Sequence, residues 1–111
     1  MSVSNPDIAL IFFSRTAEAE AVAKPWLGKG RYRENREVAS ALIGHALKNI
    51  RRAGMPVFYY HEARQQGKDF GERFACAFQE VFSLGYRAAV AVGNDAPGLA
   101  ATDWAEVGRV L

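Results

Sequence analysis

Two spacings of apolar residues alternate along this chain. Ile8-Ala9-Leu10-Ile11-Phe12-Phe13 is an unbroken apolar run rich in branched and aromatic side chains, the pattern of a strand covered on both faces. It stops at Ser14-Arg15-Thr16. Ala17 to Ala23 could form a helical turn, and the remainder to Arg33, which mixes Pro25, Trp26, Gly28 and Gly30 with Lys24, Lys29, Arg31 and Arg33, reads as a basic loop. From Asn35 the spacing lengthens to three and four residues through Val38, Leu42, Ile43, Ala46, Leu47 and Ile50, which predicts a helix stopped by Gly54. Pro56-Val57-Phe58-Tyr59-Tyr60 predicts a second strand, and His61 to Lys68 a polar loop. Asp69, with Glu72 three positions on, caps a helix whose apolar stripe is Phe70, Phe74, Ala77, Phe78, Val81 and Phe82, ended by Gly85. Tyr86 to Val92 reads as a third strand, and Thr102 as the cap of a last helix carrying Trp104, Val107, Val110 and Leu111.

Strands alternating with helices predict an α/β fold: a three-layer α/β/α arrangement on a parallel, Rossmann-like sheet of strand order 2-1-3. Such sheets bind ligands at the carboxyl ends of their strands. The third strand delivers Gly93-Asn94-Asp95-Ala96-Pro97-Gly98-Leu99 to that edge, which singles out Asp95. Three strands are few for such a sheet, so a missing C-terminal half, or a partner that covers an edge, is expected.

Composition narrows the class. At 111 residues the chain is a single domain, 1–111. Fourteen Lys and Arg against twelve Asp and Glu leave a net charge of +2, too mild to argue for nucleic acid. The single cysteine, Cys76, falls in an apolar helical pattern and is expected as a buried thiol in a reducing compartment. No run approaches the ~20 apolar residues of a spanning helix, and no signal-peptide layout is present. The expectation is a cytoplasmic protein with no membrane partner.

Candidate chemistry gathers at one edge. Asp95 could coordinate a hard divalent cation bridging nucleotide phosphates, or cap the amides of its own turn. Arg15, Lys24, Lys29, Arg31 and Arg33 follow the first strand on the same edge, where they could meet a diphosphate or remain solvated charge. Arg73 lies in the first turn of its helix, at a loop junction with amides available to an anion, or it pairs with Asp69 or Glu72 on the surface. His61 could face the same opening, whereas His45 lies within a helix; a structural or surface role suits both. Walker spacing, Gly-x-Gly-x-x-Gly and a Ser-His-Asp set are all absent, so no catalytic residue is assigned. The aromatic residues of the third predicted helix read as core.

Two segments taken together resemble a known family. Gln66-Gly67-Lys68-Asp69-Phe70-Gly71-Glu72-Arg73-Phe74, then Ala91-Val92-Gly93-Asn94-Asp95-Ala96-Pro97-Gly98-Leu99, are similar to the two motifs of the bacterial family named domain of unknown function 2064. Phe70 stands where that family has Leu, Asn94 where it has Ser, and Ala96 where it has Cys. Lys24-Pro25-Trp26-Leu27 stands in place of its Lys-Thr-Arg-Leu-like motif, and no Asp-Gly-Gly-Tyr-like segment is found. The resemblance implies a nucleotide-diphospho-sugar transferase of the glycosyltransferase-A fold, of which this chain would be the N-terminal nucleotide-binding half. It implies Mg2+ or Mn2+ at Asp95, and with the basic residues of the same edge the expected nucleotide site is Arg15, Lys24, Arg73, Gly93 and Asn94.

The expected function is therefore a metal-dependent glycosyltransferase or nucleotidyltransferase-like domain that binds a nucleotide diphosphate sugar. The alternative is a non-catalytic binding or assembly module whose exposed sheet edge pairs with another chain, as in a homo-oligomer. A flavodoxin-like or receiver-like domain is disfavoured, since Ser14-Arg15-Thr16 brings no acidic cluster after the first strand.

Overall fold

A computed structural model describes residues 7–94 and 102–111. Strand β1 spans Ile8–Phe13, β2 spans Val57–Tyr60 and β3 spans Ala88–Gly93; they form one parallel sheet in the order β2-β1-β3. Leu10 is registered with Val57 on one side of β1 and with Val90 on the other. The continuous apolar run of β1 follows from this central place, because both of its faces are covered. Ile8, Leu10 and Phe12 face one core, and Ala9 and Ile11 face the other.

The first core is filled by helix α2, Tyr32–Arg51, through Ile43, Ala46 and Ile50, and by Trp104 at the start of helix α4, Trp104–Val110. The second is filled by helix α3, Phe70–Ser83, through Ala77 and Val81, together with Tyr60. The predicted three-layer α/β arrangement and the 2-1-3 order are both present. No helix among the described residues is long and apolar enough to cross a membrane.

The differences lie in the polar segments. A full helix α1, Ala17–Ala23, replaces the expected single turn, with Thr16 accepting a bond from the Ala19 amide as its cap. Helix α2 begins at Tyr32, three residues before the apolar repeat, so Asn35 sits inside it rather than at its start. The Asn35 side chain is buried and turned on the preceding loop, accepting from the Leu27 amide and donating to the Gly28 carbonyl, each at 2.8 Å. Asp103, not Thr102, caps α4, since its carboxylate accepts from the Glu106 amide. Cys76 is half-buried rather than buried. The aromatic stripe of α3 is only partly core: Phe74 and Phe78 are half-buried, whereas Phe70 is 64% and Phe82 45% exposed.

Candidate functional site

Parallel pairing brings the carboxyl ends of all three strands to one edge, and a cleft of about 610 Å³ opens there. Its floor is the strand ends: Phe13, Ser14 and Arg15 after β1, and Ala91 to Asn94 of β3. One wall is polar, made by Glu20 and Lys24 of α1 with Glu62 and Gln65 from the loop after β2. The other belongs to α3 and its approach, with Gly67, Phe70, Arg73 and Phe74. Phe13 and Phe74 stack there with ring centres 5.4 Å apart and planes 13° apart.

All of Arg15, Lys24, Arg73, Gly93 and Asn94 line this one cleft. Asp95, the expected metal ligand, lies outside the described residues. Lys29, Arg31 and Arg33 do not line the cleft, and Arg31 faces Glu34 one turn along, at 3.9 Å. His61 does not line it either. Its ring meets Tyr59 edge-on and its Nδ1 accepts from the Ala63 amide, while His45 contacts Asn49 one turn further along α2.

Sequence reasoning missed Glu20. This carboxylate is buried, 4% exposed, yet reaches the cleft and gathers its cations. One oxygen accepts from Arg15 Nη1 at 2.8 Å; the other lies 3.5 Å from Lys24 Nζ and 3.4 Å from Asn94 Nδ2. Asn94 Nδ2 also donates to Ser14 Oγ at 2.8 Å. The one signal for Glu20 was its place four residues before Lys24, on a segment too short and mixed for a helical period to stand out.

The opposite wall is built on a capping motif. Asp69 accepts from the Glu72 amide at 2.9 Å, and Glu72 reaches back to accept from the Lys68 amide at 2.7 Å, one residue beyond the usual reciprocal partner. Arg73 pairs with neither Asp69 nor Glu72; its Nε donates to the Gly67 carbonyl at 3.2 Å. Among the described residues it has no carboxylate partner, in contrast to Arg15 and Lys24.

Glu62 joins the loop after β2 to the start of α1, accepting from the Thr16 amide at 2.8 Å and its hydroxyl at 2.9 Å. Desolvation raises the Glu62 carboxyl, but the Thr16 amide, its own backbone amide, the Thr16 hydroxyl and the electrostatic effect of His61 together outweigh it and hold the group below its ordinary value. Beside it the Tyr59 phenol is pushed up, first by burial and then by the charges of Glu62, Glu18 and Glu20, against the lowering effect of Ser14.

A metal cage is not formed by these residues. Among the described residues no three His, Cys, Asp or Glu side chains gather around one point. Glu20 and Glu62, the carboxylates lining the cleft, are already committed to Arg15, Lys24, Asn94 and Thr16.

A family model described as an uncharacterized protein conserved in bacteria (DUF2064) matches residues 41–111. No curated protein and no solved structure matches the chain. The matched segment includes Arg73, Gly93 and Asn94, whereas Arg15, Glu20 and Lys24 precede it.

Proposed function

The chain belongs to this family of uncharacterized bacterial proteins, and on that premise we propose that its cleft binds a nucleotide diphosphate sugar as part of a glycosyltransferase or nucleotidyltransferase of the glycosyltransferase-A type. The observation that carries the reading is the convergence of Arg15, Lys24, Arg73, Gly93 and Asn94 on one opening at the carboxyl edge of a parallel sheet. Arginine and lysine are the usual partners of phosphate, and the aromatic wall of Phe13, Phe70 and Phe74 offers apolar surface to the less charged part of such a ligand.

Three cations against two carboxylates leave the described lining only slightly positive. A diphosphate is therefore under-neutralised by these side chains alone. Mg2+ or Mn2+ at Asp95 would supply the remaining charge, because magnesium takes one or two carboxylates and completes its shell with phosphate oxygens and water. The contribution of the chain's own residues to transfer is positioning, and support of the negative charge left on the departing diphosphate. Calorimetry with a panel of nucleotide sugars, with and without Mg2+ or Mn2+, tests the reading. Heat of binding that is lost in Asp95→Ala and in Arg73→Ala is expected; no heat with any member of the panel refutes it.

A second reading, an assembly module, is favoured by β3, which among the described residues pairs on one side only and is half-buried along its whole length. Light scattering separates the two: a concentration-dependent dimer that binds no nucleotide sugar supports assembly.

A further inference from the structure

We infer that Glu20 sets the anion affinity of the cleft: it fills the position between Arg15, Lys24 and Asn94 that an anion would take, so that Arg73 on the opposite wall receives the incoming phosphate. The inference rests on reading the cleft as an anion site.

The cations around Glu20 already have a counter-ion. Arg15 Nη1 lies 2.8 Å from one oxygen, and Lys24 Nζ and Asn94 Nδ2 lie 3.5 and 3.4 Å from the other. Asn94 has two amide protons to give, and the bond to Ser14 Oγ takes the second. A phosphate drawing Arg15 and Lys24 to itself leaves a buried carboxylate without its counter-ions, which is strongly unfavourable. A phosphate sharing them stands beside a like charge. Arg73 carries no such burden: among the described residues its Nε meets a neutral carbonyl and no carboxylate pairs with it. The two walls thus differ in what they offer an anion, although each presents arginine.

Titrating the full chain with inorganic pyrophosphate tests this. Glu20→Gln keeps the side-chain volume and removes the charge, and is expected to bind pyrophosphate about tenfold more tightly than the wild type at low ionic strength, with the gain shrinking as salt is added. Binding by Glu20→Gln that is absent, unchanged or weaker overturns the inference. If Glu20→Gln does not fold, the wild-type background decides. Arg73→Gln is expected to lose more pyrophosphate affinity than Arg15→Gln, and the reverse order, or equal losses, overturns the inference. The same proteins titrated with nucleotide sugars separate the two proposals. Tighter pyrophosphate binding without any nucleotide-sugar binding refutes the ligand proposed above and leaves the role of Glu20 standing; nucleotide-sugar binding with no gain for pyrophosphate does the opposite.

Discussion

Asn94, at the end of β3, donates its side-chain amide to Ser14 Oγ, at the end of β1, at 2.8 Å. The bond joins positions 80 residues apart and fixes the two strand ends that floor the cleft, while the same nitrogen approaches Glu20. Asn94→Ala removes a donor from a buried hydroxyl and a buried carboxylate together. It is expected to cost about 1–3 kcal/mol of stability, more than an ordinary surface substitution. Urea denaturation checks it, with an unchanged m-value showing that the fold survives.

Gly67 carries a second expectation. Its φ is +138°, and a Cβ placed there would lie 2.7 Å from Glu72 Cβ and 2.8 Å from the Arg73 amide nitrogen. Both the backbone conformation and the space therefore require glycine. Gly67→Ala is expected to destabilise by about 2 kcal/mol or more, and to shift the Gly67 carbonyl that holds Arg73 Nε. Thermal unfolding reads the first effect. The second appears as a loss of pyrophosphate affinity at temperatures where the variant remains folded.

These expectations show what a one-dimensional pattern carries. The six apolar residues of β1 announce a central strand because burial on both faces leaves no polar position, and that same placement sets the sheet order. Asp69 and Glu72 announce the start of α3 because capping is local in sequence. Glu20 is invisible by the same logic. Its partners Arg15 and Lys24 are near in sequence, but the third, Asn94, is brought there only by the pairing of β1 with β3, and a glutamate on a short mixed helix looks like solvated charge. The start of α2 at Tyr32 is hidden for a related reason: its first turn carries no apolar repeat, and the Asn35 side chain serves a loop that is brought to it only by folding.

On the alkaline side, Tyr60 is the residue to follow. Its ring is buried and its hydroxyl donates to Glu80 at 2.9 Å, while the Arg64 guanidinium lies 4.6 Å from the ring centre. Burial, then the Glu80 hydrogen bond and charge, push the phenol above its ordinary value of 10.0, against the smaller lowering effect of Arg64. The folded state holds this proton more tightly than the unfolded chain does. Its contribution to stability is complete below about pH 10 and is lost as pH rises through the folded value. Tyr60→Phe is expected to be less stable than the wild type at pH 7 by about 1 kcal/mol for the lost hydrogen bond. The gap should narrow above pH 10, where only the wild type has this phenol to ionise, and melting curves at pH 7 and pH 11 compare the two directly.

Glu62 sets the acid limit of the same edge. Desolvation pushes its carboxyl up, but the Thr16 amide, its own backbone amide, the Thr16 hydroxyl and the electrostatic effect of His61 overcome this and hold it below the ordinary 4.5. A depressed folded value means the contribution is present above the ordinary carboxyl range and is lost as pH falls through the lower folded value. Asp7, lowered by its bond to Arg87, and Glu18, lowered by its own backbone amide and by Arg36, titrate in the same window, so the acid transition of the wild type alone does not isolate Glu62. The difference between wild type and Glu62→Gln does. The neutral amide offers one oxygen where the carboxylate offers two, so the paired acceptance from the Thr16 amide and hydroxyl is weakened. The variant is therefore expected to melt a few degrees below the wild type at pH 7 and to converge with it as the pH falls below the usual carboxyl range. A gap that persists unchanged down to pH 3 would show that Glu62 stabilises the junction by packing rather than by charge.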